Sequence, residues 1–527
     1  MISLKAISIL LISIYFGSII FYSGFFGSSN KIVKLGLIFI GITFFLTLCI
    51  YMSWAWLLVG LFSFFIALIY NYIFPKTLEV IEEEGLVINL KHSKGVIKCY
   101  NPFLGFLGYG GAGSGKTASL GKPLLEEFMR NKFSLFVYDA KENDYTKTAF
   151  FLKDKLDYPY PIYNIDCGNL NKSNRFNPIK YTLFERESEV FEITESLYKV
   201  LSKKNVLNEW DDKALGILKA AAYYLYSKYP KYLTIPHLFN FVTQNSPEEL
   251  VNEFQNDSTC RNLASSLINS QGSKATMDSI MSTLSGVIAS FAANKEMCYI
   301  LTGDDFDLDL VNPDNPKAFF ITNTFSLRNQ ISPLVAICFV MAMKRVRFGN
   351  KIPLCTFLDE ATTFKIEDLE AYPSEFREYL VSMVLLTQSP FKISKLYGNE
   401  DLSSLESNLQ NRFILRTKED KAARKFSEQF AKTEKNRQSV TSRDGSSQLS
   451  TTNSKQEVKK YEPDFFMNMR TGQSVGTCVK SNVKEFNVQL TPYESGTLQE
   501  LPNRKIVSNE QIQVHYQEII NQIKIKK

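Results

Sequence analysis

Tyr109-Gly110-Gly111-Ala112-Gly113-Ser114-Gly115-Lys116-Thr117-Ala118-Ser119-Leu120 is the stretch that decides the fold. Gly110, four residues, and then Gly115-Lys116-Thr117 is the spacing of a phosphate-binding P-loop. The glycines allow backbone N–H groups to turn inward around β- and γ-phosphates. Lys116 brings a point charge to those phosphates, and the Thr117 hydroxyl can ligate Mg²⁺. The candidate binding segment is Gly110, Gly111, Ala112, Gly113, Ser114, Gly115, Lys116, Thr117 and Ala118. An apolar run, Phe103 to Tyr109, precedes it as a buried strand would. A helical stretch, Ala118 to Asn131, follows, and its N-terminus would face the anion. Strand, glycine-rich turn and helix together predict an α/β nucleotide-binding fold.

The chain has 527 residues, enough for two to four folding units. Net charge is +6 and unevenly placed: residues 1–74 hold Lys5, Lys31 and Lys34 and no acid, which leaves +3 for the rest. Charge alone therefore neither demands nor excludes nucleic acid. The eight cysteines form no CxxC pair and the three histidines lie far apart. That spacing excludes the usual zinc and disulfide frameworks and leaves reduced cysteines in a cytosolic domain.

Residues 1–74 read as membrane. Ile7 to Phe26 is about one bilayer span, and Leu35 to Phe74 is an uncharged run about twice as long. The pattern predicts three spans, about 7–26, 33–52 and 54–74, with two as the alternative. Lys31 and Lys34 in the short loop would lie on the cytoplasmic side. The expected location is thus the bacterial inner membrane, in contact with lipid, with everything after Phe74 in the cytoplasm.

Beyond the anchor, residues 75–102 carry short β-like runs at Leu86–Leu90 and Val96–Tyr100. Phe133 to Asp139 is an apolar run ending in a carboxylate, and Tyr160 to Asp166 is another strand. In open α/β sheets chemistry gathers at the carboxyl ends of strands, which makes Asp139 and Lys141 candidates for the phosphate or water side of the site. From Phe184 to Leu301 helical spacing takes over, as in Leu215, Leu218, Ala222 and Leu225. More than a hundred mostly helical residues between strands predict an inserted all-α domain. The expected divisions are 75–183 and 302–502 for the nucleotide-binding domain, 184–301 for the insertion, and 503–527 for a short tail with a basic end.

The sheet resumes with Lys317 to Asn323. Leu354-Cys355-Thr356-Phe357-Leu358-Asp359-Glu360 is an apolar run ending in two acids, a Walker B pattern. Asp359 would hold Mg²⁺ through water, and Glu360 would orient and polarise the attacking water. Met383 to Gln388 is the next strand, which places Gln388 to sense the γ-phosphate or bind that water. Asn411 to Thr417 gives one more strand. Lys418 to Arg437 reads as a charged amphipathic helix and Gln438 to Lys455 as a mobile Ser/Thr-rich loop. Ser474–Ser481 and Val483–Leu490 read as a late hairpin. Arg377, between the acids and Gln388, is a candidate for neutralising transition-state charge.

The order of these features resembles that of the type IV secretion coupling proteins of the TraG/TraD-like conjugation family. It comprises a membrane anchor, G-G-A-G-S-G-K-T, F-N-P-I at Phe176–Ile179, a helical insertion, F-L-D-E-A, and a strand ending in Gln388. The resemblance covers most of residues 75–495. It implies a homo-hexameric, RecA-like P-loop ATPase that uses ATP and Mg²⁺. Such an ATPase couples a relaxase–DNA complex or a secreted protein to the channel components of a type IV secretion system. Lys116 and Thr117 match the Walker A positions of the family, Asp359 and Glu360 its Walker B, and Gln388 its sensor. Arg377 sits where the family has an arginine reaching a neighbour's nucleotide, although Phe376 and Glu378 stand where glycines usually flank it. The rival reading is a double-strand DNA translocase of the cell-division or repair type, against which the large helical insertion argues.

Overall fold

The thirteen strands of the described residues, numbered in chain order, are β1 (Ile88–His92), β2 (Gly95–Cys99), β3 (Phe106–Tyr109), β4 (Ser134–Asp139), β5 (Ile162–Asp166), β6 (Ala318–Thr322), β7 (Leu354–Leu358), β8 (Val381–Thr387), β9 (Asn411–Ile414), β10 (Lys432–Ser442), β11 (Leu449–Lys459), β12 (Gln473–Thr477) and β13 (Glu485–Gln489). They come from a computed structural model that describes residues 85–204, 206–442, 449–494 and 500–525. Nine of them form one sheet in the order β13-β12-β9-β3-β8-β7-β4-β6-β5. From β9 to β5 all neighbours run parallel, whereas β12 and β13 add an antiparallel edge.

The central strands are buried on both faces, and for that reason they read as unbroken apolar runs. Along β4, Leu135 and Val137 pack with Leu124 and Phe128 of the helix Lys122–Arg130, while Phe136 and Tyr138 point into the opposite core. Register then sets the site. Tyr109 lies opposite Thr387, Leu358 opposite both Leu385 and Tyr138, and Asp139 opposite Thr322. The parallel strands therefore end together, and the residues after β3, β4, β6, β7 and β8 share one edge.

Between β5 and β6 the described residues contain no strand. Helices Glu187–Ser202, Glu209–Lys228, Ile235–Gln244, Pro247–Gln255 and Lys274–Ala292 dominate this stretch. Asn208 and Ser246 each close a reciprocal capping box, of the kind worth about 1 kcal/mol per cap. Phe239, Phe254, Leu284 and Ile288 are fully buried among these helices. The final helix, Asn509–Ile523, packs on them through Ile519 and Tyr516, and Gln522 Oε1 lies 2.9 Å from His237 Nε2.

Two expectations are corrected. The charged helix over 418–437 spans only Asp420–Glu428, and the Ser/Thr-rich stretch after it is not a loop along its length. β10 and β11 pair antiparallel from Lys432 opposite Lys459 to Ser442 opposite Leu449. Thr433, Val440, Thr441, Thr451, Thr452 and Val458 are β-branched, which favours strand over coil. The second correction concerns the membrane. The expected spans 7–26, 33–52 and 54–74 lie outside the described residues. Among the described residues no helix is long and apolar enough to cross a membrane. A span needs about 20 apolar residues. The apolar helix Arg328–Met343 has 16, and the 20-residue helix Glu209–Lys228 carries acids and lysines. An inner-membrane location is therefore not borne out.

Candidate nucleotide site

β3 delivers the P-loop to the shared edge. The Gly110 N–H donates to Thr387 O (3.1 Å) and the Gly111 N–H to Arg416 O (2.9 Å), which pins the loop between the ends of β8 and β9. Gly115 has φ +88°, and a β-carbon there would lie 2.7 Å from Gly472 N, so only glycine fits. Arg416 Nη2 and Thr471 Oγ1 both donate to Gly113 O, at 2.8 and 3.3 Å. The Gly472 N–H donates to Ser114 O at 2.8 Å. The first turn after the loop is wide: the Lys122 N–H reaches back five residues to Thr117 O.

Asp359 and Glu360 follow β7. Asp359 is fully buried, and neither of its carboxylate oxygens has a hydrogen-bond partner among the described residues. Burial pushes its carboxyl up to about 7, against the pull of Lys116 and Lys141, with Glu360 and Asp139 adding to the rise. An unpartnered buried carboxylate is costly unless something compensates it. With the Thr117 hydroxyl it forms a hard oxygen donor set that fits Mg²⁺. Among the described residues no group of three or more His, Cys, Asp or Glu side chains forms a metal cage. Mg²⁺ at a phosphate site does not require one, since water and phosphate oxygens complete its shell.

Glu360 stands in the left-handed region at φ +49°, which costs a non-glycine residue about 1–3 kcal/mol. That turn aims its carboxylate at two groups. Oε1 accepts from Lys116 Nζ at 2.5 Å and from Gln388 Nε2 at 3.2 Å. Lys392 Nζ donates to Gln388 Oε1 at 2.6 Å. A lysine can only donate, so it holds the amide oxygen and leaves the amide N–H₂ for Glu360. The Lys116 and Glu360 side chains are 5% and 13% exposed, so water screens their pairing weakly.

The two candidates after β4 divide. The Asp139 carboxylate accepts from Lys141 N (3.0 Å), Thr146 N (3.0 Å) and Thr146 Oγ1 (3.1 Å). It anchors the turn into the helix Asp144–Lys155. Burial raises its pKa, and those bonds pull against the rise. Lys141 instead reaches the P-loop, donating from Nζ to Thr117 Oγ1.

Lys116, Thr117, Glu360 and Gln388 thus meet at one edge, with Asp359 beside them. Arg377 does not join them. It lies in the turn Arg377–Tyr379 before β8, and a seven-residue strand separates it from Gln388. That is roughly 23 Å at strand rise. Its Nη2 is 3.5 Å from Asn408 O, and its buried Nε has no partner among the described residues. Beside Glu360 opens a cleft of about 420 Å³ lined by Lys141, Asn323, Arg328, Gln388 and Lys392 among others. Asn323, Arg328, Lys392 and Arg416 were not picked out by sequence. Lys392 lies four residues after Gln388, in the first turn of the helix Pro390–Tyr397. Arg328 and Arg416 reach the site only through strand order.

A P-loop at the end of a parallel sheet, with a buried acid pair and a polar amide beside it, defines a P-loop nucleotide-binding protein. The chain belongs to the family described as Type IV secretory system Conjugative DNA transfer, which matches residues 76–477. The resemblance carried by the motifs is borne out. A search of curated proteins found no match. Among solved structures, the chain is similar to the bacterial conjugative coupling protein TrwBdeltaN70 in its unbound monoclinic form. The TM-score is 0.59 at 14% identity, over 80% of this chain and 90% of that one. It is also similar to the plasmid coupling protein TrwB in complex with ADP and Mg²⁺ (TM-score 0.56, 15% identity, 77% and 88% covered). The complex of TrwB with a non-hydrolysable ATP analogue gives 0.57 at 15% identity over the same shares. At such identities the likeness shows the α/β fold.

Proposed function

We propose that this chain hydrolyses Mg-ATP and uses the cycle to couple a relaxase–DNA complex, or a protein substrate, to a type IV secretion channel. Membership of the conjugative DNA transfer family supports the transfer role. The observation that carries hydrolysis is the convergence of Lys116 and Gln388 on Glu360, next to an unpartnered buried Asp359. That TrwB, similar in fold, forms complexes with ADP–Mg²⁺ and an ATP analogue supports ATP and Mg²⁺ as the ligands here.

In this reading the backbone from Gly110 to Ala118, with Lys116, holds the phosphates. Thr117 and Asp359 would hold Mg²⁺, which when bound would supply positive charge against the phosphates. Glu360 takes a proton from the attacking water. Gln388, locked by Lys392, keeps the Glu360 carboxylate in place. Arg377 acts on the nucleotide of a neighbouring copy in a homo-hexamer, which its distance from its own site supports. Residues 75–183 and 302–502 form the RecA-like motor, 184–301 a helical domain that selects substrate, and 503–527 a tail. Glu360→Gln tests the reading in a conjugation assay. The variant is expected to keep nucleotide binding and to lose DNA transfer; transfer at the wild-type level contradicts the proposal.

A further inference from the structure

The cleft beside Glu360 carries chemistry that binding ATP does not use. Three cations line it, each from a different strand end: Lys141 after β4, Arg328 after β6 and Lys392 after β8. Two of them are committed, Lys141 to Thr117 and Lys392 to Gln388. The Arg328 carbonyl accepts from Ser332 Oγ at 2.7 Å, but its guanidinium makes no hydrogen bond or ion pair among the described residues. It is the first residue of the helix Arg328–Met343, and no acid lies in that helix's first turn. A cation at that end is opposed by the helix dipole, so helix stability does not explain it. Glu142 and Glu360 are the acids at the cleft, and Glu360 is already engaged by Lys116 and Gln388.

A fourth group points to a particular anion. Asn323 lines the same cleft and is 5% exposed. Its Nδ2 donates to Tyr138 Oη at 2.7 Å, which fixes the amide and leaves Oδ1 as a buried acceptor without a partner. Cations with one fixed acceptor complement an anion that carries a hydroxyl. Hydrolysis makes one. The bond between the γ-phosphorus and the β–γ bridging oxygen breaks and a bond to the water oxygen forms. One water proton passes to Glu360 and the other stays on the new P–OH. ADP leaves with the bridging oxygen as an anion.

We infer that this cleft is a subsite for the released inorganic phosphate, with Arg328 as its principal cation and Asn323 Oδ1 as acceptor for the P–OH. The inference rests on the ATPase reading above. Its volume of about 420 Å³ lies within the roughly 300–1,000 Å³ of small-ligand sites. The P–OH also separates phosphate from sulfate, which is of similar shape but has no hydroxyl at neutral pH.

The test is calorimetric titration of inorganic phosphate, and in parallel of sulfate, into the full chain loaded with ADP and Mg²⁺. The variants are Arg328→Ala and Arg328→Lys, with phosphate inhibition of ATP hydrolysis as a second readout. Arg328→Ala is expected to weaken phosphate binding about tenfold or more, with Arg328→Lys intermediate. ADP affinity should change less than about twofold, which also reports a folded chain. Sulfate should bind wild type several-fold more weakly than phosphate. Unchanged phosphate binding in Arg328→Ala, or equal binding of the two anions to wild type, overturns the inference. Failure of the wild-type chain to hydrolyse ATP defeats the ATPase reading instead, and the calorimetric arm still decides whether phosphate binds here.

Discussion

The two ends of β8 differ in how finished they are. At the carboxyl end Gln388 sits in a closed chain of contacts, Lys392 to Gln388 to Glu360 to Lys116, each partner supplied by this one polypeptide. At the amino end Arg377 has a single long contact to a backbone carbonyl and a buried nitrogen with nothing to bind. Both ends are made of charged side chains against the same sheet. On the proposed reading, one is complete for holding phosphates and activating water. The other holds a strong donor whose acceptor, on the proposed reading, comes from another copy.

The largest effect is expected at Lys116. Lys116→Ala removes the phosphate charge and strands Glu360, and nucleotide affinity should fall by about a hundredfold or more in an equilibrium titration. Near-normal affinity would mean that the carboxyl end is not the phosphate site. Arg377→Ala should leave nucleotide affinity of the dilute chain intact. It should cut hydrolysis by the assembled protein by about 10³-fold, the lower range for an arginine acting in trans. Loss of hydrolysis that does not depend on protein concentration would place Arg377 in its own site.

Asp359 sharpens the contrast through pH. Its folded pKa of about 7 lies above the unfolded carboxyl value near 4. Between those limits the folded chain binds more protons than the unfolded chain, so stability without Mg²⁺ falls as pH rises through that window. Asp359→Asn should flatten the fall in denaturation midpoint between pH 5 and pH 8 and abolish Mg²⁺-dependent tightening of ATP binding. An unchanged pH slope in the variant would assign the effect elsewhere. The smallest effect is expected at Lys392, an exposed residue acting only through Gln388. Lys392→Met should lower kcat several-fold with KM for ATP little changed, and Lys392→Arg should restore part of it. A change in KM alone would make Lys392 a binding group.

Legibility in the sequence followed locality. Gly110 to Thr117 and Asp359-Glu360 are contiguous, and each sits where an apolar run stops, so both could be read without knowing the sheet order. Gln388 could be read for the same reason. Arg328 could not, because it comes to Glu360 only when β6 is laid beside β4, 183 positions away along the chain at the pair Asp139 and Thr322. Asn323 carries no local sign that its amide oxygen is left over. The β10–β11 ribbon is hard to read because Ser, Thr and Asn signal loop by composition while the β-branched Thr and Val among them favour strand. The Asp444-Gly445 dipeptide between the two runs was the available hairpin signal. The sequence marks the tail as short and helical with a basic end, but not what it packs on. Its capping box at Ser508 and Gln511, and its apolar face of Ile512, Tyr516 and Ile519, mark a helix that docks.

The most direct measurement is single-turnover hydrolysis of ATP bound to the full chain, comparing wild type with Glu360→Gln. The amide keeps the shape and the contact with Gln388 but cannot take the water proton. Mg-ATP should bind both proteins with similar affinity, and the rate of γ-phosphate cleavage should fall about 10²–10⁴-fold in the variant. Cleavage by Glu360→Gln within a few-fold of wild type would contradict the assignment of this edge of the sheet as the hydrolytic centre.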